Sequence, residues 1–106
     1  FASWCVPCLA ELSLIAALSA EGYEVYGLNH KDSPQAAARW LGVHGNPYKA
    51  VGADTEGRAS IEWGVTGVPE TFIVDADGII RFKYAGPLTP ELIARKLRPV
   101  LEAVGR

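Results

Sequence analysis

The sequence predicts an α/β domain, with a mostly parallel sheet, an antiparallel hairpin at its edge and helices on both faces. Three observations predict it. Helix-like and strand-like runs alternate along the chain. Two β-rich runs, Thr71 to Val74 and Ile79 to Tyr84, flank the turn sequence Asp75-Ala76-Asp77-Gly78. Two helix starts are written out as Ser33-Pro34 and Thr89-Pro90, a capping hydroxyl followed by a proline whose missing N–H costs a helix nothing there.

The elements follow in order. Phe1 to Ser3 reads as the tail of a strand. Leu9 to Glu21 is rich in Leu and Ala, with Leu12, Ile15 and Ala16 on one face and Leu14 and Leu18 beside them, so a largely buried helix is expected, ended by Gly22. Tyr23 to Leu28 carries β-formers and reads as a strand, and Asn29 to Ser33 as polar loop. The second helix runs from Pro34 through Ala36, Ala37, Trp40 and Leu41 and stops before Gly45-Asn46-Pro47. Lys49 to Gly52 is a short strand and Arg58 to Trp63 a short helix. After the hairpin, Ile93, Leu97, Val100, Leu101 and Val104 recur at helical spacing. Pro99 should kink this last helix, because it removes a backbone donor and crowds the carbonyl of Arg95.

A chain of 106 residues, 49% hydrophobic and 21% charged, is the size of one domain, here residues 1–106. Surface scaling gives a chain of this size roughly two thirds of its unfolded area to bury, enough for one core. With 10 Lys and Arg against 12 Asp and Glu, the net charge is −2 and no basic run is present, which argues against nucleic acid or an anionic membrane surface as partners. No apolar stretch approaches the ~20 residues that span a bilayer. The chain contains no Met and opens almost directly on its chemistry, so it reads as the interior of a longer protein whose targeting segment is missing.

That chemistry is Trp4-Cys5-Val6-Pro7-Cys8, which holds both cysteines of the chain where a strand ends and a helix starts. Unpaired N–H groups and the positive end of the helix dipole favour a thiolate there and pull its pKa below the ~8.5 of a free cysteine. Cys5, nearest the helix end, is the expected attacking thiol. Cys8, one turn inside, is the expected resolving thiol, and Pro7 stiffens the turn between them. Three other readings are weaker. A structural disulfide gains little by closing so short a loop. A zinc site needs further ligands, and His30 and His44 lie much farther apart than the about three to five intervening residues of a paired motif. Two inert core cysteines are an improbable accident at a helix start.

A second constellation is Gly64-Val65-Thr66-Gly67-Val68-Pro69-Glu70-Thr71-Phe72, a glycine-rich turn entering a strand through proline. Such a proline reports either a cis bond in a tight turn or an ordinary trans proline at a strand start.

With Trp4-Cys5-x-Pro7-Cys8 at one end and Gly67-Val68-Pro69-Glu70-Thr71-Phe72, Asp75 and Gly78 at the other, the chain resembles the thioredoxin superfamily. Gly27-Leu28-Asn29-His30-Lys31-Asp32, Trp40-Leu41, Gly45-Asn46-Pro47-Tyr48, Pro69-Glu70-Thr71-Phe72 and Tyr84-Ala85-Gly86 narrow the resemblance to the DsbE/CcmG family, the membrane-anchored periplasmic thioredoxin-like proteins of cytochrome c maturation. The resemblance runs over essentially the whole chain. It implies a thioredoxin fold, with a mixed central sheet flanked by helices. In that fold the strand entering the Cys-x-x-Cys turn is central, so the first strands and the membrane anchor would lie before Phe1. These 106 residues would then carry unpaired strand edges and fold poorly alone.

The resemblance also implies roles. Cys5 is the nucleophile, Cys8 the resolving thiol and Pro69 a cis-proline facing the disulfide. Trp4, Val68 and Pro69 contact substrate, and Glu11 and Glu70 are acidic modulators. On residue type alone, Glu11 reads as a solvated helix face and Glu70 as a polar residue at a strand start. His30 stands where the family often has Tyr, and reads as a partly exposed loop residue. The implied reaction is thiol–disulfide exchange that reduces the haem-binding cysteines of apocytochrome c, directly or through a maturation thiol protein. Re-reduction would come from a membrane thiol carrier of the DsbD/CcdA type, with no metal or organic cofactor. A general periplasmic reductase of the ResA or TlpA type and a redox-inactive peptide-binding module are the alternatives. The Asn29 to Asp32 and Asn46 to Tyr48 motifs argue against the first, and retention of both cysteines against the second.

Overall fold

A computed structural model describes residues 1–105. Helix α1 spans Val6–Ala20 and buries one stripe, Cys8, Glu11, Leu12, Ile15 and Leu18. It begins earlier than Leu9 because Cys5 itself is the N-cap and Pro7 lies in the first turn, where a missing N–H leaves no bond unmade. Gly22, at φ +102°, then turns the chain into β1, Tyr26–His30. This strand includes Asn29 and His30, which composition places in a loop. Bonds on both sides hold them extended. His30 N donates to Phe1 O at 2.8 Å, and residues 26–30 pair in parallel register with β2, Ala50–Asp54.

Helix α2, Pro34–His44, connects these strands. The Ser33 hydroxyl accepts from Ala36 N at 2.9 Å, as the Ser-Pro signature predicts. Ser33→Ala should therefore lower stability by about 1 kcal/mol, read from chemical denaturation. An unchanged midpoint would show that water replaces the cap.

After the short helix α3, Arg58–Glu62, strands β3 (Glu70–Val74) and β4 (Ile80–Ala85) form the expected antiparallel hairpin. Its register runs from Glu70 opposite Ala85 to Val74 opposite Ile80, with a bulge next to Ile73 and Val74. Asp75 organises the turn. Its Oδ1 accepts from Asp77 N and Ile79 N, and its Oδ2 accepts from Arg81 Nε at 2.6 Å.

Among the described residues the strands form two separate two-stranded ladders, β1–β2 and β3–β4, rather than one sheet. Phe1 is what lies along the free edge of β1. It donates to Leu28 O at 2.9 Å and accepts from His30 N, the bonding pattern of a parallel neighbour. Among the described residues no backbone bond joins that edge to β3. Ile15 and Leu18 of α1 meet Ile73 of β3, Leu88, Ile93 and Leu97 in the main core. Each such side chain contributes roughly 1.5–3 kcal/mol by leaving water.

The C-terminal helical segment starts at α4, Pro90–Leu92, capped by Thr89, passes through a π-helical turn at Ile93–Leu97 and ends as α5, Arg98–Val104. The π-helical turn lies just ahead of Pro99, where the sequence predicts a kink. Arg98 N–H reaches back five residues to Ile93 O, and the wider turn makes room ahead of a residue that cannot donate.

Candidate redox site

Cys5 and Cys8 are joined as a disulfide at the start of α1, with Cα atoms 5.3 Å apart. The Cys8 backbone N–H points at Cys5 Sγ, 3.2 Å away. It is one of the donors that a helix start leaves unpaired, so on reduction it would hydrogen-bond a thiolate at Cys5. Both sulfur residues are largely covered, Cys5 at 5% exposure and Cys8 at 2%, whereas Trp4 is 57% exposed. The bridge thus lies in a shallow recess beside an open indole. Ala2, Cys5 and Cys8 form a small apolar cluster against Phe1, Trp40 and Val68.

A carboxylate fixes the approach to this turn. Asp32 accepts from Ser3 N (2.7 Å), Ser3 Oγ (3.0 Å), Asn29 Nδ2 (3.0 Å) and Ser33 N (2.9 Å). Burial opposes its ionisation, but the donors from Ser3, Asn29 and Ser33 outweigh that and hold its pKa below the usual carboxylate range. The indole N–H of Trp4 donates to Lys31 O at 3.0 Å, tying the side chain to the same corner.

The Val68–Pro69 peptide is cis. Val68 packs on the cysteine cluster, which sets this turn beside the disulfide. Pro69 O accepts from Gly86 N at 2.9 Å, the contact that brings the Tyr84-Ala85-Gly86 motif to the turn. Glu70 follows directly, its side chain only 4% exposed rather than solvated. Its Oε2 accepts from Thr66 N at 3.1 Å, whereas Oε1 has no hydrogen-bond partner among the described residues and lies 3.8 Å from Lys83 Nζ. Lys83 donates instead to Gly64 O at 2.7 Å and stands 5.6 Å from the centre of the Phe72 ring.

Glu11 is likewise not on a solvated face. At 4% exposure it occupies the buried stripe of α1 that contains Cys8, and its Oε2 accepts from Leu88 N at 2.8 Å. Burial raises its carboxyl pKa, partly offset by that N–H. A charged side chain was pulled inward because one buried backbone donor, 77 positions away in the chain, needed an acceptor.

The residues that sequence reasoning passed over are Ser60 and Asp54. Asp54 Oδ1 accepts from Ala59 N at 3.1 Å, and Oδ2 accepts from Ser60 N (2.9 Å) and from the Ser60 hydroxyl (2.6 Å). The Ser60 oxygen also meets His30 Nδ1 at 2.7 Å, and the His30 ring lies 6.4 Å from the Trp4 ring. Asp-Thr-Glu-Gly before a short helix was a legible turn and cap signal; that a histidine would join it was not. Among the described residues, no group of three or more His, Cys, Asp or Glu is placed to hold a metal ion. No described helix is long and apolar enough to cross a membrane.

A disulfide at a helix N-terminus facing a cis-proline turn, on parallel and antiparallel ladders joined by helices, defines a thioredoxin-fold protein, and the Redoxin family matches residues 1–101; the chain belongs to that family. Its curated relatives are thiol:disulfide interchange proteins. The thiol:disulfide interchange protein HelX of Rhodobacter capsulatus is 45% identical over 101 residues, covering 95% of this chain and 57% of HelX. DsbE of Escherichia coli K12 is 42% identical over 102 residues, covering 96% of this chain and 55% of DsbE. The chain thus spans a little over half the length of the curated relatives it matches. A solved structure described as a thiol:disulfide interchange protein DsbE, from Chlorobium tepidum, superposes with a TM-score of 0.79 at 26% identity, over 99% of this chain and 76% of that one. MTB DsbF, solved in mixed oxidized and reduced forms, superposes at 0.80 with 21% identity over 95% of this chain and 76% of its own, a likeness of fold.

Proposed function

We propose that this protein is a thiol–disulfide oxidoreductase. The observation that carries the reading is the Cys5–Cys8 bridge with the Cys8 N–H aimed at Cys5 Sγ, since that donor stabilises the thiolate in which exchange begins and ends. Cys5 is the nucleophile and Cys8 the resolving thiol. Trp4, Val68 and Pro69 form the platform on which a substrate segment lies, and the electrons reside in the dithiol, with no metal or organic cofactor. Its substrate class is a disulfide in an extended polypeptide. The similarity to HelX and DsbE supports a place in cytochrome c maturation. There the dithiol reduces the haem-binding cysteines of apocytochrome c or a partner thiol protein, and a membrane thiol reductant of the DsbD/CcdA type restores it. The setting is the periplasmic side of the inner membrane, with anchoring supplied outside these residues.

The reduced protein should transfer two electrons to a Cys-x-x-Cys-His peptide disulfide, with one peptide disulfide reduced per Cys5–Cys8 bridge formed. Thiol counting by mass spectrometry checks this, and failure to reduce either the peptide or insulin would overturn the reading.

The carboxylates bear on the same step. A buried negative charge near the redox pair disfavours a second one. Glu70→Gln should lower the pKa of Cys5 modestly and narrow the preference for basic over acidic peptide disulfides, and Glu11→Gln should act chiefly on the pKa. Thiolate absorbance titrations with exchange rates on one acidic and one basic peptide test this. Unchanged titrations and an unchanged rate ratio would remove both carboxylates from the mechanism.

A further inference from the structure

The Asp54–Ser60–His30 chain fixes which ring nitrogen of His30 carries the proton. Asp54 is an acceptor, its pKa held low first by the Ser60 hydroxyl and also by the Ser60 and Ala59 N–H groups. Ser60 owns one hydroxyl proton, and at 2.6 Å it goes to Asp54 Oδ2. The Ser60 oxygen must then accept at its other contact, so His30 Nδ1 is the donor across 2.7 Å. A neutral His30 is therefore the Nδ1–H tautomer, and the lone pair sits on Nε2. Nε2 has no hydrogen-bond partner among the described residues, and the half-buried ring stands beside the exposed Trp4.

We propose that His30 is a specificity-determining residue of the exchange reaction: anchored through Nδ1 by Ser60 and Asp54, it offers Nε2 at the rim of the redox recess as acceptor for a backbone N–H of the bound polypeptide. The proposal rests on the thiol–disulfide reading and adds to it how a polypeptide disulfide is told from a small one. An extended segment lying across Trp4 toward Val68 brings main-chain donors past this edge, and a non-peptide disulfide brings none. Protonation turns Nε2 into a donor and removes the interaction. The groups facing His30 are Lys31 beside it, Asp54 on β2 and Glu70 on β3. Burial and Lys31 lower its pKa, with Asp54 and Glu70 opposing, so Nε2 is an acceptor at neutral pH and the interaction is lost as pH falls through that lowered value.

The test compares kcat/KM for a reduced-protein reaction with a ten-residue Cys-x-x-Cys peptide disulfide and with bis(2-hydroxyethyl) disulfide. His30→Phe should lower the peptide-to-small-disulfide ratio about three- to tenfold, through KM for the peptide, the range expected for one hydrogen bond. His30→Gln, whose amide oxygen can accept, should recover most of the ratio. In the wild type the ratio should fall as the solution is acidified through the His30 titration, and in His30→Gln it should not. Nitrogen-15 NMR should show Nδ1–H at neutral pH, with the preference relaxed in Ser60→Ala. Equal losses on both substrates in His30→Phe, an Nε2–H tautomer in the wild type, or a pH step that survives in His30→Gln would each overturn the proposal. A wild type that reduces neither disulfide overturns the exchange reading itself, a result distinguishable from an altered ratio.

Discussion

Cys8→Ser should turn the reduced protein into a trap, accumulating mixed disulfides through Cys5 at close to one equivalent, whereas Cys5→Ser should lose exchange by at least about a hundredfold. The asymmetry follows from where the sulfurs sit. Cys5 is the N-cap of α1 and receives the Cys8 N–H, so its thiolate is the stabilised one. Under the proposed reaction, Cys5 of the wild type would attack a substrate disulfide and expel one substrate thiolate. Cys8, one turn away with its Cα at 5.3 Å, would then attack Cys5 Sγ, expel the second substrate thiolate and close the bridge. In the Cys8→Ser variant the first step proceeds and the second has no nucleophile. Mass spectrometry of non-reduced mixtures reads the adduct, and iodoacetamide should modify Cys5 before Cys8 in the reduced wild type. Equal alkylation rates, or adducts formed through Cys8, would reverse the assignment.

Removing the Glu11 side chain should have the largest effect on stability. Glu11→Ala leaves the buried Leu88 N–H without an acceptor, which costs about 1–3 kcal/mol, and opens a void beside Leu12 and Ile15 whose cost adds to it. Glu11→Gln keeps an acceptor oxygen and should behave in the opposite way near neutral pH. The sign follows from linkage. Burial places the folded-state pKa of Glu11 above its unfolded value, so the folded protein binds this proton more tightly. The ionised carboxylate therefore subtracts from stability above the folded pKa. That penalty is relieved as pH falls through the folded value and is gone below the unfolded one. Glu11→Gln should be more stable than the wild type at pH 8, with the gap closing on acidification. Urea denaturation across pH 4 to 8 measures it, and a constant gap would place the carboxyl in water.

The legible parts of the sequence were those where one residue type has one local use. Ser33-Pro34, Thr89-Pro90 and the Asp75 to Gly78 turn each specify a boundary through their own backbone chemistry, and the structure places all three accordingly. The Cys-x-x-Cys turn was legible for the same reason. What failed depended on distant partners. Asn29 and His30 look like loop until Phe1 and β2 bracket them. Glu11 looks solvated until Leu88, far along the chain, supplies the donor that draws it inward. Ser60 has no signal at all, because its importance lies in joining two residues from different strands. The start of α1 was missed by three residues, since periodicity registers buried side chains and the first turn of this helix includes the exposed Val6.

The corner built around Asp32 constrains how this sequence can drift. Ser3, Asn29 and Ser33 all donate to the same carboxylate, so the worth of each depends on Asp32 and on the other two. A change at Asp32 devalues three other positions at once, and a change at any one of them leaves a carboxylate with fewer donors to justify its burial. Substitutions at these four positions should therefore be non-additive, each single change costing more than its share of the combined one.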